Sequence, residues 1–416
     1  MFWLGPLRLS VYRIALLITI LPCLYMWVTG RAGRILMADI ALLLFWLWGT
    51  LSLAIHHGLA AALQSGGITF IETMGAYLLA RCYIRTADDF RSVVKFLFWI
   101  VIFLLPFGIL EATTGRKPLI EFFQLVVDTV PINTDPPRMG LTRVQGPFEH
   151  PILFGVCCGS IFAMAYLVLG YQKTFFQRGI RALPVLFAAF LALSSGPLSA
   201  VAIQGMLLSW DRLLKGIQAR WKILWASFGT IYVFLSLASN RSVYALAVGH
   251  APLFDQQTAY YRLLIWKYGS ASVLKHPLFG IGYNEYERES WMVSSIDMFW
   301  IIHSVMFGLP AGLMLFLAFG SLIYAVSLKK GLDQRTTEYR TAYLICMAGF
   351  FIAGWAVHFW NATYVWFVFL LGSGSWILEA RSEGSVTTSA RKQSRRSPGG
   401  ESVYTRKKVV PIKRDL

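Results

Sequence analysis

Phe96-Leu97-Phe98-Trp99-Ile100-Val101-Ile102-Phe103-Leu104-Leu105-Pro106-Phe107-Gly108-Ile109-Leu110 decides the fold class: it carries no charge over fifteen residues, and similar apolar runs recur along the chain. About 20 such residues suffice to cross a hydrocarbon core of ~30 Å as an α-helix. The chain of 416 residues is 56% hydrophobic and only 14% charged, against about 25% charged in soluble domains. Its mean hydropathy is +0.56. The runs are continuous and do not alternate, which excludes a membrane β-barrel. The expected fold is therefore all-α, a polytopic membrane helical bundle.

About 11 spans are expected, at 11–29, 35–55, 67–84, 92–112, 150–171, 182–194, 196–210, 223–239, 299–328, 341–357 and 361–380. Ser194-Ser195-Gly196-Pro197 interrupts one apolar region, which is either a tight hairpin or one broken helix. Residues 1–380 form a single transmembrane domain with one large extracytoplasmic loop at 240–298, and 381–416 is a basic, disordered cytoplasmic tail. Arg8 and Arg13 precede an apolar stretch with no small-residue cleavage site after it, so no cleavable signal peptide is expected.

The net charge of +17 does not indicate nucleic acid. Ten of the basic residues lie after Glu379, against three acids, and most of the others occupy short connections. That is the positive-inside pattern, and the tail suits anionic lipid. Clusters at Lys173, Arg178 and Arg181, at Arg212, Lys215, Arg220 and Lys222, and at Lys329, Lys330, Arg335 and Arg340 place those connections in the cytoplasm. The loops 113–149 and 240–298 then share the outer side. Cys23, Cys82, Cys157, Cys158 and Cys346 all fall in apolar spans and form neither a disulfide framework nor a metal spacing.

Polar chemistry gathers in those two outer loops. Arg143 stands before Gly146-Pro147, at the mouth of a span, where a guanidinium offers a planar fork to phosphate oxygens. Gln145 belongs to the same stretch, and Arg138 is a weaker neighbour. Arg262 lies in a helical segment with Trp266 four residues on, on the same face. His276-Pro277 followed by Gly280-Ile281-Gly282 reads as a helix end and a tight turn, without the context of a nucleotide loop. The segment from Leu119 to Val130 has the pattern of a short amphipathic helix, with Glu121, Gln124 and Asp128 on one face.

Taken together, Arg-x-x-Gly-Pro-Phe-x-His-Pro at 143–151, Arg262-x-x-x-Trp266, the turn at 276–282 and Gly308-Leu309-Pro310-Ala311-Gly312 resemble the O-antigen ligase and O-antigen polymerase family of bacterial envelope glycosyltransferases. The resemblance runs from about residue 35 to 375. It implies a multi-pass protein of the bacterial inner (plasma) membrane with its active site on the extracytoplasmic face. It also implies a metal-independent enzyme without cofactors, acting on polyprenyl-diphosphate-linked glycan. Arg143 and Arg262 match the family's diphosphate-holding arginines. Arg138, Gln145, Trp266 and His276 join them as substrate-binding candidates.

Two departures matter. The family's catalytic histidine precedes the glycine of the next span by eleven residues, and here that position, counted back from Gly308, is Asp297. His303 has the residue type but lies only five residues before Gly308. Both are candidates for the base; Asp297 is preferred because it is nearer the loop, and a carboxylate can serve as a base toward a sugar hydroxyl. Where relatives carry Ser-Arg-Gly, this chain has Ser195-Gly196-Pro197, so that contact would come from elsewhere, for example Arg241.

The expected function is polymerisation of polyprenyl-diphosphate-linked oligosaccharides in exopolysaccharide or O-antigen biosynthesis, with the bilayer and other polysaccharide-assembly membrane proteins as partners and no nucleic acid. The alternative within the class is a ligase that passes finished glycan to a lipid or other acceptor. An alternative of another class is a lipid-linked glycan transporter. Transporters commonly show duplicated halves with polar residues at the midplane, and neither feature is visible here.

Overall fold

The computed structural model describes residues 2–4, 7–239 and 256–380. The candidate Arg241, part of the expected 240–298 loop and the whole 381–416 tail therefore lie outside the described residues. Among the described residues the regular structure is helical except for a small antiparallel pair, β1 (Phe2–Leu4) with β2 (Leu7–Leu9). Six helical segments are long and apolar enough to cross a membrane: Val11–Val28, Met37–Tyr83, Ala87–Thr114, Arg220–Ala238, Leu309–Leu328 and Asn361–Glu379. This is an all-helical bundle with the composition of a membrane protein.

Helix α1 (Val11–Val28) is followed by α2 (Met37–Phe70), a π-helical turn (Ile71–Gly75) and α3 (Ala76–Tyr83). The backbone of α2 breaks at Gly58, with φ 80° and ψ 168°, a region essentially reserved for glycine. The two arms fold back on each other. The Trp46 indole donates to the Gly66 carbonyl at 2.8 Å, and Arg81 pairs with Asp39 at 3.1 Å. Asp39 and Arg81 are buried at 0% and 1% exposure. Tyr77 and Trp27 complete the carboxylate's bonding at 2.7 and 2.9 Å, which a buried ion requires.

Helix α4 (Ala87–Thr114) starts at a Thr86–Asp89 capping box and stops at Gly115, whose φ is 75°. The amphipathic stretch forms α5 over only Pro118–Gln124, because the chain tightens into turns after Phe122 and Phe123 accept bonds from Leu125 and Val126. Then come α6 (Pro151–Ser160), α7 (Phe162–Leu167), α8 (Phe175–Leu191) and α9 (Ser195–Leu213). The interrupted apolar region is a hairpin. Gly155 sits where a Cβ would come within 2.8 Å of both Ala192 and Pro197, so α6 packs directly against the junction of α8 and α9. Helix α10 (Arg220–Ala238) buries none of its residues.

Within the expected 240–298 loop, the helical segment around Arg262 is a 20-residue helix, α11 (Gln256–Lys275), which ends just before His276, as Pro277 suggested. The expected single span at 299–328 is instead two helices, α12 (Phe299–Phe307) and α13 (Leu309–Leu328), broken at Gly308 with φ 87° and ψ 168°. Trp300 stacks on Phe316 at 4.7 Å, so α12 lies back along α13. Helix α14 (Gln334–Ala353) is capped by Asp333; after a non-helical stretch at 354–360 come α15 (Asn361–Gly372) and α16 (Trp376–Glu379).

Most helices share one core. A second, smaller core joins Ile265 of α11, Tyr286, Met292, Ile296 and Met298 of the following segment, and Ile301 of α12. One end of the bundle is tied by Arg85–Glu379 at 2.6 Å, Arg178–Glu338 at 3.0 Å and an Arg335–Asp88 pair. That end holds the basic connections, and the polar motifs gather at the other.

Candidate functional site

Parts of three non-helical stretches pack together at the motif end: 143–150, 192–194 and 354–360. Proline and glycine explain the first two, since neither Gly146-Pro147 nor Gly196-Pro197 continues a helix from its preceding residues. Such backbone must be satisfied inside the protein. The Val144 amide donates to Leu191 at 3.0 Å, and the Phe299 and Trp300 amides donate to Val357 at 3.1 Å and Gly354 at 3.4 Å. Gly196 lies directly against Val357.

Three arginines close on the break between α8 and α9. Arg143, only 6% exposed, donates through Nε to the Ala192 carbonyl at 3.4 Å. Arg138 donates through Nη1 to the Leu193 carbonyl at 2.9 Å. Arg262, from α11, donates through Nη2 to Ser195 Oγ at 3.2 Å. Arg143 and Arg262, far apart in sequence, therefore touch residues three apart in one turn.

Asp135 is the local counter-charge. It pairs with Arg143 and faces His150 Nε2 at 3.3 Å. His150 Nδ1 accepts the Ile152 amide at 3.1 Å, capping α6, so the imidazole proton resides on Nε2. Burial, and then the neighbouring Arg143, hold the His150 pKa below its usual range. Burial followed by the like charge of Arg138 also lowers that of Arg143, with Asp135 opposing. Arg138 and Arg143 surround one carboxylate, Asp135, and Arg262 adds a third fixed positive charge on the same turn, an excess suited to an anion.

Asp297 lies just before α12. Burial raises its carboxyl above the ordinary range, while a Ser295 hydrogen bond and the Arg262 charge pull it back. Asp297 is thus electrostatically linked to the arginine that touches Ser195. Trp266, on α11 one turn beyond Arg262, is 37% exposed and meets Trp355 edge-on at 5.8 Å. His303 occupies different surroundings, on α12 between the rings of Phe45 and Phe299 at 5.2 and 5.1 Å. Both its ring nitrogens are buried without a hydrogen-bond partner.

Two other candidates stand apart from the arginines' shared turn. Gln145 is completely buried; its Oε1 accepts the Asn133 amide at 2.9 Å and its Nε2 donates to Pro131 at 2.8 Å. It shapes the loop. His276 is exposed at the end of α11, and its turn works through main-chain groups. The carbonyls of Pro277, Leu278 and Phe279 accept from Leu309 at 2.7 Å, the Trp48 indole at 3.0 Å and Ser52 at 2.6 Å. The Ile281 and Gly282 amides return to Val305 and Met306.

Sequence reasoning missed the acids that organise this end. Glu111, buried against Lys117 at 2.6 Å, accepts the Gln145 and Gly146 amides at 2.7 and 3.1 Å. Glu72, in the π-helical turn, binds Arg13 and Tyr12, both at 2.8 Å. A lone acid inside an apolar run was the available signal. Among the described residues, no three His, Cys, Asp or Glu side chains are grouped to hold a metal ion. No protein-family model matches the chain, and no curated protein matches its sequence.

Proposed function

We propose that this protein is a metal-independent membrane glycosyltransferase that polymerises polyprenyl-diphosphate-linked oligosaccharide units in exopolysaccharide or O-antigen biosynthesis. One observation carries the reading. Guanidinium groups from separate segments, Arg138, Arg143 and Arg262, meet on the 192–195 turn, with a carboxyl, Asp297, beside the last of them. Phosphate oxygens are the ligand that such planar donors fit best.

In this mechanism the donor diphosphate replaces Asp135 as the partner of Arg143 and reaches Arg262. Asp297 accepts the proton of an acceptor sugar hydroxyl. The oxygen bonds to the donor's anomeric carbon as the bond to diphosphate breaks, and the departing negative charge stays on the arginines, an electrostatic stabilisation fixed before reaction. Trp266 offers an apolar face to a sugar ring.

The remaining details follow the same reading. About 11 passes are formed by the long helices, the two arms around Gly58 and the shorter helices between them. The basic end faces the cytoplasm, which puts the arginines on the extracytoplasmic face of a bacterial inner membrane. Other polysaccharide-assembly proteins are its membrane partners.

The test is polymer synthesis by purified Arg143→Ala and Arg262→Ala proteins supplied with lipid-linked oligosaccharide. Removing one member of a desolvated charge contact costs about 2–5 kcal/mol, so each variant should lose most of its polymer while remaining inserted and folded. Normal chain length and yield from both variants would remove the diphosphate-clamp reading.

A further inference from the structure

A second polar network lies beside the arginine cluster, built around Glu149 of the 143–151 stretch. Glu149 Oε1 accepts from Asn361 Nδ2 at 3.0 Å. Asn361 Oδ1 accepts from Arg13 Nη2 at 3.1 Å, and Arg13 Nε donates to Glu72 Oε1 at 2.8 Å. Glu149 Oε2 is buried and has no hydrogen-bond partner. Asn361 itself is held at φ 49°, a left-handed conformation that asparagine tolerates better than most residues. The network therefore joins four elements: α1, the π-helical turn, the start of α15 and the segment that carries Arg143.

Its charges do not balance with both acids ionised. Glu149 faces Arg13 from α1, Glu72 from the π-helical turn, Cys157 from α6 and Asn361 from α15, with His150 next in the chain; Tyr12 and Tyr364 stand against Glu72. Among these described groups a single arginine serves two carboxylates, and it binds Glu72 directly. An ionised Glu149 would leave an oxygen charged, buried and unbonded, which is far costlier than a neutral acid there.

We propose that Glu149 is protonated at neutral pH and acts as a positioning residue, its neutral carboxyl holding the 143–151 stretch against α1 and the π-helical turn until alkaline pH removes the proton. Ionisation sets Glu149 against Glu72, loosens Asn361 and releases the stretch that aims Arg143. Burial raises the proton affinity of Glu149, opposed by hydrogen bonds from its own amide and from Asn361 and by the Arg13 charge, with Glu72 adding. A group whose folded pKa is raised contributes stability that is complete below its unfolded pKa and is lost as pH rises through the folded value. The consequence for catalysis rests on the glycosyltransferase reading; the protonation itself does not.

The experiment compares wild type, Glu149→Gln and Glu72→Gln in detergent by infrared spectroscopy and by thermal unfolding between neutral pH and about pH 9, where buried glutamates have been found to titrate. Wild type should show a protonated-carboxyl stretch that disappears on raising the pH, together with a falling Tm. Glu149→Gln should lack that band and keep a level Tm, and Glu72→Gln should not reproduce this. A titrating band and a falling Tm that persist in Glu149→Gln overturn the proposal, as does wild type with no such band. If the band behaves as expected but neither protein makes polymer under any condition, the glycosyltransferase reading fails and the proton assignment stands.

Discussion

The helical hairpins at Gly58 and Gly308 use nearly the same backbone, φ 80° and ψ 168° in one, φ 87° and ψ 168° in the other, to different ends. Around Gly58 both arms continue far enough to traverse a bilayer, within the 47-residue apolar segment Met37–Tyr83. Around Gly308 the first arm, α12, has only nine residues. At 1.5 Å per residue it covers about 14 Å, less than half a hydrocarbon core. It cannot cross, and its first amides bond to the non-helical 354–360 stretch instead. The same turn joins two arms of bilayer length in one case. When one arm is short, it makes a buried helix end with carbonyls, and Asp297, close by.

The surroundings of the two glycines predict unequal tolerance. A methyl at Gly308 would overlap the Leu278 carbonyl, whereas one at Gly58 would meet nothing within 4 Å. Gly308→Ala should therefore have the largest effect: loss of the folded, monodisperse protein on detergent gel filtration, because main chain on both sides would have to move. A normally folded variant would mean that the 276–282 turn is not locked to this hairpin.

Next in size is Asp297→Asn. If the short hairpin carries the chemistry, turnover should fall by about 10²–10⁴-fold, the usual worth of a general base. The wild-type rate should also decline on acidification at a higher pH than an ordinary carboxylate gives, because the Asp297 carboxyl is raised and only its ionised form accepts a proton. Retained turnover with an unchanged acid limb would transfer the role to another residue, such as His303.

Gly58→Ala should show the smallest effect. The non-glycine strain of that φ/ψ region costs about 1–3 kcal/mol, readable as a modest drop in Tm with turnover per folded molecule unchanged. A loss of turnover in this variant would erase the distinction between a hairpin that spans and one that works.

The first hairpin was legible because its arms appear as separate apolar runs on either side of His57-Gly58. The second was not: hydropathy runs unbroken through Gly308, and a window that averages side chains does not sense a reversal of the main chain. Pro310, at the second position of α13, was the one local sign that a helix begins there. At the site, the arginines were legible by type and motif. Glu72, Arg13 and Asn361 were not, because their partners lie 59 and 348 residues away in the chain and no spacing rule links them.

The two cores give the site a mechanical seam. Arg138 and Arg143 are anchored to the α8–α9 break, part of the large core. Arg262 rides on α11 in the small core, whose far end is strapped through the 277–282 main chain, whereas Asp297 stands two residues before Phe299, which is buried in the large core and bonded to Val357. That strap lies at one end of α11. Arg262 lies fourteen residues before His276, about 21 Å along the helix. A tilt of about 5° around the strap would displace its guanidinium by roughly 2 Å. Arg262 would move relative to Arg143, while Asp297, held beside Phe299, would stay with the large core. The gaps from Arg262 to Arg143 and to Asp297 would then both change from the α11 side alone.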